Sequence, residues 1–313
     1  MQDYMAYVFP GQGSQAVGMG QDLSSTYAVA RETFQEADEA LGFSLSALCF
    51  EGPEEELRQT QNAQPAIMAT SMACLRAVRE EQLLPPGVAF LAGHSLGEYS
   101  ALVANGSMAF KDAVFVVRKR GEFMQEAVPV GEGAMTAVLG LEIGAIREIC
   151  DMVSSGSGVA SPANLNAPGQ TVISGSRDAV MQASEQAKLK GAKRVVPLDV
   201  SAPFHCILMK PAAKRLAEVL DKIEFREMNV PIVTNCDASV NSDSSRTKEL
   251  LVRQVTSPVR WYESVETLGR EGVGKFLEIG PKNVLSGLIK RTLPNVEVGC
   301  LENKSQLESL KNG

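Results

Sequence analysis

The sequence VAFLAGHSLG, residues 88–97, carries the strongest indication of the fold. Its first half, Val88–Ala92, is an apolar run typical of a buried strand, and a helical pattern follows from about Leu96. A Gly-x-Ser-x-Gly sequence between a strand and a helix is typical of a nucleophile elbow, a sharp turn that exposes the serine at the carboxyl edge of a sheet. Gly93 and Gly97 allow the two backbones to cross without a clash of Cβ atoms. The pattern predicts Ser95 as a nucleophile, and a plain glycine-rich turn is the alternative.

Strands and helices alternate on both sides of this motif. The predicted elements include strands over 4–9 and 275–279 and helices over 26–41, 63–82 and 110–127. This alternation predicts an α/β fold with a mostly parallel sheet. Residues 241–246 are polar and predict a surface loop.

The pattern changes near Pro129. The predicted elements beyond it are a turn and then a strand within 131–140, a helix over 142–153, strands over 158–164 and 170–174, a helix over 177–190 and a strand over 192–200. The order βαββαβ is the ferredoxin-like supersecondary pattern. We therefore predict a small ferredoxin-like domain, residues 129–200, inserted into a large domain made of residues 1–128 and 201–313.

Composition and charge exclude several classes of protein. The chain has 313 residues, of which 44% are hydrophobic, enough to bury a sizeable core. Its formal net charge of −7 argues against nucleic-acid binding, which needs a basic surface. No stretch approaches the ~18 consecutive apolar residues of a membrane span. The first residues have no basic region before an apolar core, so no secretory signal is expected. We expect a cytoplasmic protein, most simply a monomer.

The cysteines and histidines restrict the possible chemistry. The 6 cysteines are scattered and none is spaced as C-x-x-C, which favours buried free thiols over disulfides or a metal site. There are only 2 histidines, so a histidine-rich zinc site is excluded and no metal is expected.

A serine nucleophile needs a base, and His205 is the better candidate. His94 adjoins Ser95 on the sharp turn and points away from it. His205 follows a predicted strand, at the edge where loops converge. The group that orients His205 stays open between Asp199, six residues earlier, and a backbone carbonyl.

Arg120 lies on the apolar side of the helix predicted over 110–127. A buried guanidinium without a partner costs several kcal/mol, so it must have one. An internal salt bridge or a side chain that extends to the solvent would satisfy it. A clamp for a substrate carboxylate is the more specific hypothesis, and it implies an acyl donor with a second, free carboxylate.

The turn Gly11-Gln12-Gly13 follows the first strand. Ala16 stands where a dinucleotide-binding fingerprint needs its third glycine, and no P-loop lysine follows. A glutamine between glycines suits a loop whose backbone N–H lies close to a ligand, as in an oxyanion hole.

With these motifs the chain resembles the malonyl-CoA:acyl-carrier-protein transacylases of bacterial type II fatty-acid synthesis, over about residues 8–290. The motifs that carry the resemblance are FPGQGSQ (9–15), GHSLGEY (93–99), RKRG (118–121), NLNAPGQ (164–170), Phe204-His205, Arg253-Gln254 and EIGP (278–281). The resemblance implies an α/β-hydrolase-like large domain with a ferredoxin-like small domain.

The resemblance also implies a role for each matching residue. Ser95 would be acylated, with His205 as its base, and Arg120 would hold the malonyl carboxylate. Backbone N–H groups of two residues, Gln12 and Leu96, would form the oxyanion hole.

Four further roles follow from the resemblance. The main-chain carbonyl of Gln254, rather than Asp199, would orient the histidine. The pocket would be lined by His94, Asn164 and Phe204. Since several related enzymes have serine at the position of Phe204, its ring supports malonyl over methylmalonyl.

The implied reaction is a ping-pong transfer. Malonyl-CoA would acylate Ser95, and the phosphopantetheine thiol of acyl carrier protein would collect the malonyl group without a metal or redox cofactor. The alternatives are a stand-alone polyketide acyltransferase, a serine thioesterase or hydrolase, and a carrier-binding module without activity. Because acyl carrier proteins are acidic, we expect them to dock on a local basic patch. The candidates are Lys193, Arg194, Lys282, Lys290 and Arg291.

Overall fold

The computed structural model describes residues 4–156, 158–200 and 202–311. The strands are β1 (Tyr4–Phe9), β2 (Val88–Gly93), β3 (Gly133–Leu139), β4 (Ala160–Ala167), β5 (Gln170–Ser176), β6 (Arg194–Pro197), β7 (Ile232–Val233), β8 (Val240–Asn241), β9 (Val273–Ile279) and β10 (Glu297–Leu301). The helices are α1 (Gln21–Thr26), α2 (Ala28–Leu41), α3 (Leu45–Glu51), α4 (Glu54–Arg58), α5 (Thr60–Glu80), α6 (Leu96–Ala104), α7 (Phe110–Glu126), α8 (Ile143–Ser154), α9 (Arg177–Leu189), α10 (Lys210–Leu220), α11 (Thr247–Thr256), α12 (Trp261–Arg270), α13 (Val284–Thr292) and α14 (Lys304–Lys311). Short 3-10 helices span Ile207–Met209 and Ser244–Arg246.

The larger sheet has the strand order β10-β9-β1-β2-β7-β8. Every pair in it is parallel except β7 with β8. Alternate residues of β1 enter different cores, with Tyr7 and Phe9 on one face and Ala6 and Val8 on the other. Because both faces are buried, the central strands read as continuous apolar runs, as expected for a parallel sheet covered by helices.

The smaller sheet is antiparallel, in the order β4-β5-β3-β6. Helices α8 and α9 pack on it and bury an apolar cluster of their own, which includes Ile146, Ile149 and Val180. The βαββαβ order and the α/β class are as predicted. All four strands fall within residues 129–200, and the domain boundaries themselves stay a prediction. Ser201, the predicted first residue of the returning large domain, lies outside the described residues.

Several predicted boundaries are wrong. The helix predicted over 26–41 is interrupted by Tyr27, whose extended backbone (φ −111°, ψ 125°) ends α1 and begins α2. The strand predicted over 192–200 is reduced to Arg194–Pro197, since Leu198–Val200 leave the sheet and line a cleft. The loop predicted over 241–246 begins in β8 and contains a 3-10 helix. Among the described helices, none is both long and apolar enough to cross a membrane.

Candidate active site

Ser95 lies on a strained turn at the carboxyl edge of the larger sheet, between β2 and α6. Its backbone has φ 53° and ψ −103°, a conformation that L residues rarely adopt. A Cβ on Gly93 would lie 2.0 Å from the carbonyl carbon of Gly97, and a Cβ on Gly97 would lie 2.0 Å from the carbonyl oxygen of Phe9. Strand and helix therefore approach this closely only because both positions are glycine, which is the geometry of a nucleophile elbow.

His205 connects Ser95 to the backbone of Gln254. The Nε2 atom of His205 lies 2.7 Å from Ser95 Oγ, and its Nδ1 lies 2.9 Å from the carbonyl oxygen of Gln254. A carbonyl can only accept, so Nδ1 carries the proton and Nε2 is free to accept from the serine hydroxyl. Asp199 is not the orienting group, because its side chain is 99% exposed and pairs with Arg58 at 3.6 Å.

The surroundings of His205 keep it neutral. Burial, and secondly the positive charge of Arg120, lower the pKa of His205 to about 3. At neutral pH the imidazole is therefore uncharged and has a lone pair directed at Ser95 Oγ. A ligand that neutralises Arg120 would raise this pKa and make the histidine a stronger base.

Arg120, on α7, is 2% exposed and directs its guanidinium at the nucleophile. Nη2 donates to Ser95 Oγ at 2.9 Å and to Gln254 Oε1 at 2.9 Å. Nη1 donates to Gln64 Oε1 at 2.6 Å, and the ring of Tyr99 lies 5.5 Å from the guanidinium carbon.

All of these partners are uncharged. No carboxylate contacts Arg120 anywhere in residues 4–156, 158–200 and 202–311, and its Nε has no partner there. The alternatives of an internal salt bridge and of a side chain extended to solvent are therefore wrong. A buried cation without a contacting anion, beside a nucleophile, can receive the carboxylate of a ligand.

A cleft of about 810 Å³ opens onto these groups. Its walls include most of the predicted site residues, namely Gln12, His94, Ser95, Leu96, Arg120, Asn164, Phe204 and His205. Gln254 is fully buried behind Ser95 and Arg120. Strand residues of the smaller sheet (Met135, Asn164 and Val172) and the turn after β2 line the cleft, so a bound ligand would contact both.

The remaining predicted residues differ in their surroundings. His94 Nε2 lies 2.9 Å from Asn166 Oδ1, and burial lowers the pKa of His94. A Cβ on Gly11 would lie 2.4 Å from the carbonyl oxygen of His94, so the Gly11 turn packs directly against the elbow. Leu96 is the first residue of α6, and the first N–H groups of a helix have no acceptor within it. Gln12 follows Gly11 directly, so its backbone also lies close to the elbow, and Gln12 lines the cleft together with Ser95.

Three polar residues of the site were not predicted from the sequence. Asn235 accepts from Ser95 N at 2.6 Å and donates to the carbonyl oxygen of Gly93 at 2.7 Å. Gln64 and Glu98 contact Arg120 and Gln254, respectively. Glu98 could have been found from the sequence, since it is the one charged residue in the helix sequence LGEYSALVA. Asn235 follows a strand of two residues, and no sequence pattern around it indicates that it belongs to the site.

The structure adds no metal-binding arrangement to this site. Within the part of the chain that it describes, no three His, Cys, Asp or Glu side chains are grouped to hold a metal ion. All 6 cysteines are free thiols.

Comparison with known proteins gives one family. The profile of the acyl transferase domain matches residues 6–307. The malonyl CoA-acyl carrier protein transacylase of Bacillus subtilis is 53% identical over 304 residues, which cover 97% of this chain and 95% of that protein. The crystal structure of an acyl carrier protein S-malonyltransferase from Vibrio cholerae matches with a TM-score of 0.94 and 49% identity, over 98% of this chain and 99% of that one. A malonyl-transacylase in complex with a type II polyketide acyl carrier protein matches with a TM-score of 0.95 and 46% identity, over 99% and 100%.

Proposed function

The chain belongs to the acyl transferase domain family, and we propose that Ser95, His205 and Arg120 carry its malonyl transfer. It is an acyltransferase, and it moves the malonyl group from malonyl-CoA to acyl carrier protein. The observation that supports the residue roles best is the position of Arg120. Its guanidinium has no contacting carboxylate among the described residues and donates directly to the nucleophile, so a carboxylate bound there belongs to the acyl group that reacts.

In the first half-reaction the Oγ of Ser95 attacks the thioester carbonyl of malonyl-CoA. His205 Nε2 takes the hydroxyl proton while the C–O bond forms. The N–H groups of Gln12 and Leu96 stabilise the oxyanion of the tetrahedral intermediate. The C–S bond then breaks, and His205 returns its proton to the departing CoA sulfur. The products are malonyl-Ser95 and free CoA.

The second half-reaction reverses these steps with a different thiol. The phosphopantetheine thiol of the carrier gives its proton to His205 and attacks the ester of malonyl-Ser95. The new C–S bond forms, the C–O bond breaks and Ser95 regains its proton. Exchange of one thioester for another involves no change of oxidation state, so the mechanism requires only the two substrates.

Two residues account for the choice of acyl group. Acetyl-CoA would leave the Arg120 charge buried without the anion that malonyl supplies, which discriminates against simple acyl chains. The ring of Phe204 lines the cleft beside His205 and is 6% exposed. It would crowd an α-methyl branch and so favours malonyl over methylmalonyl. His94 and Asn164 complete the wall around the acyl group.

Intact-protein mass spectrometry tests these roles. Mixing with malonyl-CoA should add one malonyl group to the wild type and none to Ser95→Ala. His205→Ala should slow acylation by roughly 10²–10⁴-fold, the usual contribution of a general base. An adduct that maps to Cys206 would overturn the assignment of Ser95. Release of free malonate without transfer to a carrier would favour a hydrolase instead.

For the carrier, we propose docking on the exposed basic residues of two clusters, Lys193 with Arg194 and Lys282 with Lys290 and Arg291. Lys282 donates to the carbonyl oxygen of Gly13, a residue of the cleft wall, at 3.2 Å. Lys193 and Arg194 are exposed at the start of β6, and Lys290 and Arg291 are exposed at the end of α13. Reversal of these charges should raise KM for the carrier and leave acylation by malonyl-CoA nearly intact. An unchanged KM would place the docking surface elsewhere.

We further propose a cytoplasmic monomer that serves fatty-acid synthesis and binds neither nucleic acid nor membrane. Six free thiols are typical of a reducing compartment, and the net charge of −7 opposes binding to phosphate backbones. Assays with fatty-acid and polyketide carriers in parallel would test the pathway, since one similar structure contains a polyketide carrier.

A further inference from the structure

Glu98 is a buried carboxylate next to the catalytic groups that the mechanism above does not use. It is 1% exposed on α6, three residues after Ser95. Burial raises its pKa to about 7. An ionisable group in an apolar helix is costly to bury, so its hydrogen-bond partners should explain why it is there.

One oxygen of Glu98 holds two segments that are distant in the chain. Oε2 accepts from Gln254 Nε2 at 2.8 Å and from the backbone N–H of Asn235 at 3.0 Å. The first donor belongs to α11 and the second to the loop after β7. Neither segment is a neighbour of α6 in sequence, so this oxygen joins parts of the chain that only the fold brings together.

Each of these partners in turn holds a group that reacts or binds. Asn235 accepts from Ser95 N at 2.6 Å and donates to the carbonyl of Gly93 at 2.7 Å. Gln254 Nε2 also donates to the carbonyl of Ser95 at 2.9 Å, and its Oε1 accepts from Arg120 Nη2 at 2.9 Å. The backbone on both sides of the nucleophile is therefore held by two residues that both donate to Glu98, Gln254 through its side chain and Asn235 through its backbone N–H.

We propose that Glu98 is a positioning residue for acyl transfer, which holds Gln254 and Asn235 and through them aligns Arg120 and Ser95. This inference rests on the proposed function, because it assigns to Arg120 the substrate carboxylate. It needs the acceptor oxygen of Glu98 rather than its charge, since both contacts are hydrogen bonds to that one atom. Displacement of a reacting group by about 1 Å is enough to slow a reaction about 100-fold.

Two variants of Glu98 separate the acceptor from the charge. Glu98→Gln keeps the side-chain length and one acceptor oxygen, and we expect it to load malonyl within about threefold of the wild-type rate. Glu98→Ala leaves the Asn235 N–H without its acceptor and Gln254 Nε2 with the Ser95 carbonyl alone, and we expect malonyl loading to fall about 100-fold. Labelling of Ser95 by a fluorophosphonate, which does not use Arg120, should fall less.

The ratio of malonyl to acetyl loading distinguishes positioning from a loss of stability. In Glu98→Ala the ratio should fall about tenfold, because Arg120 loses alignment and acetyl has no carboxylate to bind it. The matched control is Glu278→Ala. Glu278 is also fully buried, and it caps the N-terminus of α13 through the N–H groups of Leu285 and Ser286, outside the cleft. This control should lower the melting temperature and leave the ratio unchanged.

The proposal fails if folded Glu98→Ala keeps the wild-type rate and ratio, or if Glu98→Gln is as slow as Glu98→Ala. If Glu98→Ala does not fold, Gln254→Leu tests the same contact from the other side, since it keeps the carbonyl that accepts from His205. The ratio of malonyl to acetyl loading in Gln254→Leu should also fall about tenfold, and an unchanged ratio would overturn the proposal. Failure of the wild type to form any malonyl adduct would instead overturn the proposed function.

Discussion

Replacement of Arg120 by alanine should convert a malonyl-selective site into one that no longer discriminates. The guanidinium is 2% exposed and directs Nη2 at Ser95 Oγ from 2.9 Å, so a bound malonyl carboxylate would lose a desolvated charged partner. Truncating one member of a buried charge pair costs about 2–5 kcal/mol. At about 1.4 kcal/mol for each factor of ten, kcat/KM for malonyl-CoA should fall about 30- to 4,000-fold.

Arg120→Ala should also raise two other quantities, the relative loading of acetyl and the pKa of His205. Acetyl-CoA loading should rise relative to malonyl loading, because acetyl no longer leaves a buried cation unpaired. The pKa of His205 should rise, since the charge of Arg120 is one of the causes that lower it. The acid limb of Ser95 labelling by a fluorophosphonate should then move to higher pH.

Loading rates with both thioesters, measured by intact-protein mass spectrometry, provide the assay. The matched control is Lys119→Ala, which removes a neighbouring cation of the same helix that pairs with Glu122 at 2.7 Å. It should leave the malonyl-to-acetyl ratio at the wild-type value. Unchanged malonyl selectivity in folded Arg120→Ala would refute the assignment of the carboxylate site.

Three further predictions concern the elbow, the base and the acyl pocket. Gly97→Ala should abolish the adduct and destabilise the fold, since its Cβ would lie 2.0 Å from the carbonyl oxygen of Phe9; a folded variant that loads malonyl normally would contradict this. Because the pKa of His205 is lowered from 6.5 to about 3, its contribution to stability is present above pH 6.5 and is lost as the pH falls toward 3. In urea unfolding, His205→Gln should therefore lose less stability on acidification than the wild type, and equal losses would refute the pKa argument. Phe204→Ser should improve methylmalonyl loading relative to malonyl by about tenfold, and an unchanged ratio would show that the ring does not exclude the methyl branch.

The features that sequence predicts well are local. The run Val88–Gly97 combines strand, turn and helix signals within ten residues, and Ser95 follows from it. Arg120 is visible because a charge on the apolar side of a helix needs a partner. The βαββαβ order follows from alternating periodicities, although β6 is shorter than its apolar run.

The features that sequence reasoning missed depend on contacts between distant segments. The group that orients His205 is a backbone carbonyl, which every residue has, so the family resemblance indicates it but no residue type does. From the residues alone, Asp199 was an equally good candidate, and it is exposed. Asn235 reaches the elbow from a strand of two residues, too short to show a period. Glu98 stands out as the one charged residue of its helix, but no sequence pattern shows that Gln254 and Asn235 are its partners.

The place of β1 in the larger sheet determines when the enzyme can become active during synthesis. β1 lies between β2 and β9, so its second neighbour is made long after its first. The strands of the smaller sheet all come from residues 133–197 and can pair long before that. The elbow forms on β2, yet the carbonyl of Gln254 and the strand β9 arrive only after most of the chain has been made. A growing chain therefore exposes one edge of β1 for most of its synthesis, and such unpaired edges are prone to aggregation. Malonyl loading should appear only after Gln254 and β9 have been released, which makes it a sensitive report of the assembly of the larger sheet.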